Sequence, residues 1–353
     1  MAGTKSRSWG ATIHDVAREA GVAPSTVSRA LAGAPRVSEA TRARVARIAS
    51  ELGYRPSRSA QALRSSRTRT LGVIFPSLEN PITIEQLSVT VKEAYLLGYS
   101  VFVTDAQESQ EIQAVQIARM VEHRVDGVIL GRGLFRVDAS LRELLKSDIP
   151  VEGGPLPLDG DGDESDRWDT AFPELIEGEF PAVVAAGRCL LRQGHRRLGL
   201  VGRMHEPTRV GRRRLESFQH AFREAGEDVS LITRIGVDDP RACVVEMQRL
   251  LASSERPTAV VCSSGLLTPH TLEGIVSAGL SIPDDVSFVT FGDSPWHRAY
   301  VPSISTIRQD YAASARSGVH RIVARIEGTA IPEPIPNPAE FVRRGSIGPS
   351  ISQ

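Results

Sequence analysis

Thr12-Ile13-His14-Asp15-Val16-Ala17-Arg18-Glu19-Ala20-Gly21-Val22-Ala23-Pro24-Ser25-Thr26-Val27-Ser28-Arg29-Ala30-Leu31 reads as two short helices joined by a glycine turn. Thr12 and Asp15 have the S/T-x-x-D/E spacing of a helix start. Val16, Ala17 and Ala20 put an apolar stripe on one face, and Gly21 ends the helix where a positive φ is easiest. Pro24 suits the first turn of a second helix, because its missing N–H would be an orphan there anyway. Val27 and Leu31, one turn apart, can pack back on the first helix. Ser25, Thr26, Ser28 and Arg29 are left as polar surface. The pattern is a helix-turn-helix whose second helix is shaped and charged to enter a DNA major groove.

A third helix is expected after Pro35, with Ser38 as N-cap and Val45, Ile48, Ala49 and Leu52 at helical spacing up to Gly53. Tyr54 to Arg69 follows as a linker with five arginines and one proline. Its Ser57–Leu63 portion is long enough for two helical turns, too few to persist alone in water. Charge is divided along the same boundary. The chain totals 42 basic and 42 acidic residues, yet residues 1–69 hold 13 Lys+Arg against 4 Asp+Glu and the remainder 29 against 38. A basic head on an acidic body concentrates phosphate attraction in one small region.

At 353 residues the chain suits two or three domains with sizeable cores. Cys189, Cys243 and Cys262 lie far apart with no zinc-ligand spacing, which fits a reducing cytoplasm and no metal. There is no charged-then-apolar leader and no apolar run long enough to span a bilayer, so a soluble cytoplasmic protein without membrane contact is expected. From Leu71 onward, apolar strand-like runs alternate with helix-periodic segments, in a first series to Val151 and a second from about Leu175. A late helix over Tyr311–Glu327 and a strand near Glu340–Arg343 follow. Two such series imply two doubly wound lobes with parallel sheets, and ligand space at the strands' carboxyl ends and between the lobes.

With these residues in place, the chain resembles the LacI/GalR-type (lactose-repressor-like) family of bacterial transcription regulators. The resemblance is dense over residues 12–75: T-I-x-D-V-A-x-x-A-G-V-x-x-x-T-V-S-R-x-L, R-V-S-x-x-T-R, E-L-G-Y-R-P and R-T-L-G-V-I. It continues more loosely through Asn80-Pro81, Arg124 to Leu130, Gly194 to Leu198, Pro257-Thr258-Ala259, Phe291-Gly292-Asp293 and Ser305 to Gln309. It implies an α/β fold: an N-terminal three-helix HTH domain and hinge helix, then a two-lobed periplasmic-binding-protein-like core with three crossings between lobes. The corresponding segments are 1–56 (HTH), 57–69 (hinge and linker), 70–171 plus 302–328 (first lobe) and 172–301 plus 329–353 (second lobe).

Carried over by position, the resemblance puts Pro24, Ser25 and Arg29 where the family reads bases, with Arg29 suited to bidentate recognition of guanine O6/N7. Thr12, Thr26, Ser28, Ser38 and Tyr54 fall where it touches phosphates. Arg58 lies in the hinge, and Leu63 matches a leucine that wedges into the minor groove and kinks the duplex. In the family this wedge comes in pairs from a homodimer, which implies a near-palindromic double-stranded operator.

The same resemblance makes Arg214 a ligand-gripping arginine. The rest of the expected pocket departs from the pattern. Ser263-Ser264 replaces the usual Asn-Asp, Gly292 the first acid of Phe-Asp-Asp, and Glu177 stands for the aspartate that opens the second lobe. Carboxylates, amides and a stacking aromatic commonly hold a pyranose. Here Glu177, Asp293 and Gln309 remain to bind a small-molecule effector, with Trp296 either stacking on a sugar face or packing at the hinge. The readings left open are an anionic effector facing Arg214 and loss of effector response.

No cofactor or enzymatic role is expected. No G-x-G-x-x-G follows a strand, no Walker loop or G-x-S-x-G occurs, and the eight histidines form no H-E-x-x-H pair. The acidic run Asp159 to Asp166 starts like a calcium loop, but Glu164 stands at its glycine position and Thr170 at its bidentate glutamate. It reads as a solvated loop.

Overall fold

The computed structural model describes residues 11–31, 33–54, 67–131, 139–153, 173–202, 209–224, 231–236 and 239–351; Arg58, Leu63 and the acidic run 159–166 lie outside them. Two compact units are present, Met1–Thr68 and Arg69–Gln353.

The first unit holds α1 (Ile13–Ala20), α2 (Pro24–Leu31) and α3 (Glu39–Glu51). The Asp15 N–H donates to the Thr12 hydroxyl at 3.3 Å and the Thr12 N–H donates to the Asp15 carboxylate at 2.9 Å. Two orphan donors at the start of α1 are thereby satisfied reciprocally. Gly21 takes φ +63°, the left-handed conformation that turns the chain toward α2. Ser38 caps α3 by accepting the Thr41 N–H. Val16, Ala17, Ala20, Val27, Ala30, Val45, Ile48 and Ala49 form the core, with Leu31 and Tyr54 packed at its margin.

The second unit contains two sheets. The first joins β1 (Thr70–Phe75), β2 (Ser100–Asp105), β3 (Gly127–Leu130) and β4 (Val151–Gly153) in the order β2-β1-β3-β4, all parallel. α4 (Pro81–Leu96), α5 (Gln110–Glu122) and α6 (Ala139–Lys146) connect them. Ile74, Val128 and Leu130 pack with Ile117, Met120, Leu141 and Leu144 of α5 and α6.

Chain then passes through α7 (Pro173–Arg192) into the second sheet: β5 (Arg197–Gly202), β6 (Leu231–Gly236), β7 (Ala259–Cys262), β8 (Ser287–Phe291), β9 (Ser305–Arg308) and β10 (Glu340–Val342). Their order is β10-β9-β8-β7-β5-β6, with β10 the antiparallel edge. Alternate residues serve opposite faces. Leu198, Leu200, Val261 and Phe291 meet α7 and α8 (Arg209–Glu224), while Val260, Cys262 and Phe288 meet α9 (Pro240–Leu251) and α10 (Thr268–Ser277). A short α11 (Pro295–Ala299) precedes β9.

α12 (Tyr311–Glu327) returns to the first sheet, where Val319, Ile322 and Val323 pack on Leu71, Ala94 and Tyr99. One boundary expected from sequence moves. The segment 302–328 was assigned to the first lobe, but Ser305–Arg308 is laddered to β8 and β10 and belongs to the second sheet. The crossing therefore follows β9, and only the helix lies with the first lobe.

Residues 346–348 are bound into the second lobe. The Phe288 N–H donates to the Ser346 carbonyl at 2.8 Å, the Gly348 N–H donates to the Ser287 hydroxyl at 3.0 Å, and the buried His195 ring sits between Thr258 and the Gly348 carbonyl, each at 3.0 Å. No helix among the described residues is long and apolar enough to cross a membrane.

Candidate DNA-reading surface and interlobe site

On α2 the expected division of faces is present. Val27 and Ala30 are buried, Ser25 and Arg29 are exposed one turn apart, and Pro24, Thr26 and Ser28 are half-buried between them. A short helix so anchored presents a polar ridge of fixed orientation, as major-groove reading requires. Thr12 and Ser38 are exposed, and each hydroxyl also caps the helix it precedes. These two therefore have a structural duty besides any phosphate contact. Tyr54 lies partly buried against the core of the head.

In the second unit, Arg214 on α8 is largely buried and held by several partners. Its Nε and Nη2 donate to the two oxygens of Glu179, on α7, at 2.8 and 2.6 Å. Its Nη1 donates to the Ser263 carbonyl at 2.9 Å, and the guanidinium carbon stands 4.1 Å from the centre of the Phe291 ring. Burial works against its charge, but the Glu179 carboxylate and Tyr311 outweigh that and hold it protonated above its ordinary value. Glu179 was not singled out from sequence. Its neighbour Glu177 was, and the Glu177 side chain lies outside the described residues.

Asp293, just past β8, is caged by arginines. Arg344 grips both of its oxygens at 2.8 and 2.7 Å, Arg298 donates at 3.2 Å, and Arg308 stands 3.7 Å away. Burial pushes the Asp293 carboxyl up, and the arginines, led by Arg344, pull it further down, so it is held below the usual carboxylate range. Beside it His297 is buried, and neither ring nitrogen has a hydrogen-bond partner among the described residues. Burial, reinforced by Arg344 and Arg298 against the opposing Asp293, takes its pKa down to about 4.

Trp296 lies against His297, with ring centroids 4.0 Å apart and planes tilted by 46°, and packs against the cluster of Leu267, Leu272 and Ile304. That cluster covers the sheet face opposite the one on which α8 lies. Of the two roles expected of Trp296, sugar stacking and packing, its contacts with this cluster are those of packing, and the indole remains partly exposed. Gln309, at the crossing after β9, donates from its amide to the Asn337 carbonyl at 3.1 Å. Gln309 is in turn joined to the surroundings of Arg214, since its carbonyl accepts the N–H of Tyr311 at 3.1 Å and the Tyr311 side chain hydrogen-bonds Arg214.

The two lobes meet through Ile82, near the start of α4. A Cβ at Gly292 would stand 2.7 Å from the Ile82 Cδ1, and one at Gly265 would stand 3.4 Å from that atom and 3.1 Å from the Asn80 side-chain oxygen. Glu85, one turn further along α4, has its carboxyl pushed up by loss of water and by Asp310 and Asp293, with Arg298 opposing. First-lobe and second-lobe groups thus share one electrostatic environment. Ile82, Glu179, Arg298 and Arg344 are additions to the sequence reading. The only sequence signal for this arrangement was the glycine at 292.

Residues 12–57 match the family described as "Bacterial regulatory proteins, lacI family", and residues 188–347 match the "Periplasmic binding protein-like domain". The chain is 28% identical over 323 residues to the HTH-type transcriptional repressor PurR of Mannheimia succiniciproducens, covering 90% of this chain and 92% of the relative. It is 29% identical over 321 residues to the PurR of Escherichia coli O1:K1 / APEC, with 90% of each covered. Among solved structures it is similar to the Lac repressor dimer bound to operator and the anti-inducer ONPF, with TM-score 0.76, 23% identity, and 96% of this chain and 99% of that chain covered. A lacI-family regulator from Silicibacter pomeroyi gives TM-score 0.76 at 24% identity over the same shares.

Proposed function

Because the chain belongs to the lacI family of bacterial regulatory proteins, we propose that it is a transcriptional repressor that grips a near-palindromic double-stranded operator as a homodimer. It is a DNA-binding regulator and not an enzyme, as its repressor relatives are. The observation that carries the reading is α2, with Ser25 and Arg29 exposed opposite the buried Val27 and Ala30. In this reading Pro24, Ser25 and Arg29 meet base edges, and Thr12, Thr26, Ser28, Ser38 and Tyr54 position the head on phosphates. Arg58 and Leu63 act from the hinge. The protein works in the cytoplasm, where its operator is.

Pairing of two copies is supported by α4. Ile84, Val91 and Tyr95 lie along one face by helical spacing and are exposed in the single chain. The space between the lobes is the effector site, bounded by Arg214, Asp293 and Gln309. An effector there changes DNA affinity only so far as it binds the two lobe arrangements unequally.

Selection of bound sites from random double-stranded DNA with the full chain, repeated with a metabolite mixture, tests both statements. Enrichment of a two-fold symmetric site is expected. Failure to enrich any sequence would refute the reading.

A further inference from the structure

We infer that this chain supplies its own ligand to Arg214: the Glu179 carboxylate is seated on the guanidinium in place of an exogenous anion, and Ile82 closes the cleft beside Gly292. The inference rests on the interlobe space being the effector site, and it specifies how that site is regulated.

Three observations carry it. First, the Arg214–Glu179 contact is a two-pronged guanidinium–carboxylate pair at 2.8 and 2.6 Å, the geometry with which a free carboxylate or phosphate would bind. A third N–H is taken by the Ser263 carbonyl, and Phe291 lies against the guanidinium. Glu179 and Ser263 take three of the five N–H donors, Tyr311 adds a further side-chain hydrogen bond, and the two partners are largely withdrawn from water, with side-chain exposures of 13% and 9%. An incoming anion would have to displace a partner that is tethered in place and leave that carboxylate buried without its cation.

Second, Ile82 reaches across from the first lobe into the space beside Gly292 and Gly265. A Cβ at 292 would stand 2.7 and 3.1 Å from its Cδ1 and Cγ1, so a larger residue there would force the Ile82 side chain out of its place. The missing carboxylate at 292 and the apolar plug are thus two aspects of one substitution. Third, Asp293, another acid expected at the cleft, is consumed by Arg344 and Arg298. Arg214 and Asp293, the charged groups expected to grip an effector whose side chains are described, are thus satisfied from within, so operator binding by this chain does not wait on a small anion.

The test is chemical rescue in the full-length protein. Glu179→Ala removes the internal carboxylate and leaves a gap of its size. The expected result is a lowered thermal midpoint that recovers on titration of acetate, but not of chloride, into the millimolar range. The midpoint of the unaltered chain should not respond to acetate. Affinity of the variant for the selected DNA site should become acetate-dependent by fivefold or more, while that of the unaltered chain stays constant.

A Glu179→Ala chain with an unaltered midpoint, or a lowered midpoint that acetate does not restore, overturns the inference. Should that variant not fold, Glu179→Gln fills the same space with one acceptor and no charge. Its expected signature is a lowered midpoint unmoved by acetate, and parental values of both midpoint and DNA affinity overturn the inference. The midpoint arm needs no DNA. Failure of the repressor reading, seen as no selected site, is therefore distinguishable from failure of this one.

Discussion

Lowering the pH from 7.5 to 4.5 is expected to destabilise the body of this chain through His297. Its ring is buried beside Arg344 and Arg298, and its native pKa is pushed down to about 4. In the unfolded chain it returns to roughly 6.5. Between those values the unfolded state binds a proton that the native state refuses, so stability rises with pH across this window and falls as pH is lowered through it. At about 1.4 kcal/mol per unit, the full difference is on the order of 3 kcal/mol, most of it lost by pH 4.5. For a unit of this size that corresponds to a drop of roughly 4–5 °C in thermal midpoint.

Asp293, whose carboxyl is held below its usual range, remains ionised through most of this window and adds its own loss only in stronger acid. His195 is also lowered, chiefly by burial, and contributes in the same direction. The informative quantity is therefore a difference between two chains. His297→Phe keeps a ring in the site and removes the titration, so its melting midpoint, followed by circular dichroism, should fall less between pH 6.5 and 4.5 than the parent's. A His297→Phe chain whose midpoint tracks the parent's across that range would refute the argument.

Arg29→Ala is expected to cost about 1–3 kcal/mol of operator binding and relax preference at one base pair, read by repeating the DNA selection. Unchanged sequence preference would remove Arg29 from base reading. Leu63→Ala should reduce DNA bending in a circular-permutation gel shift while leaving the melting of the head unchanged; equal bending would eliminate the wedge. Gly292→Ala should destabilise the chain twice over, by about 1–2 kcal/mol for a side chain at φ +86° and further by collision with Ile82. Adding Ile82→Ala should recover the second part only, so a thermal double-mutant cycle that came out additive would show that the two residues do not meet.

The parts of this molecule that local physics governs were readable in the chain. Thr12 with Asp15, Gly21 and Pro24 mark the helices of the head because caps and turns are decided within a few residues. The same holds for α12, which runs from the Asp310 cap to Gly328 at φ +68°, the span expected from sequence. What escaped depends on partners distant in sequence. Arg214 was identified, but its carboxylate is 35 residues away, and helical spacing offered no reason to prefer Glu179 over Glu177. The segment 302–328 was expected whole in the first lobe because Ser305–Arg308 is too short to announce a strand, let alone the sheet it joins. Ile82 gave no signal at all, since an isoleucine in an amphipathic helix has an ordinary reason to be there.

The anchoring of residues 346–348 on Ser287, Phe288 and His195 has a consequence for how the protein is made. Synthesis runs from the head, whose core joins residues 16 to 49 and is complete within one short stretch of nascent chain. The first sheet, begun at Thr70, waits for α12, and the second waits for Ser346 and Gly348. Contacts so distant in sequence close slowly, and neither lobe is sealed until almost the whole chain has left the ribosome. The head is thus complete while most of the body is still being made, and a truncated product would carry the head's phosphate affinity without the body.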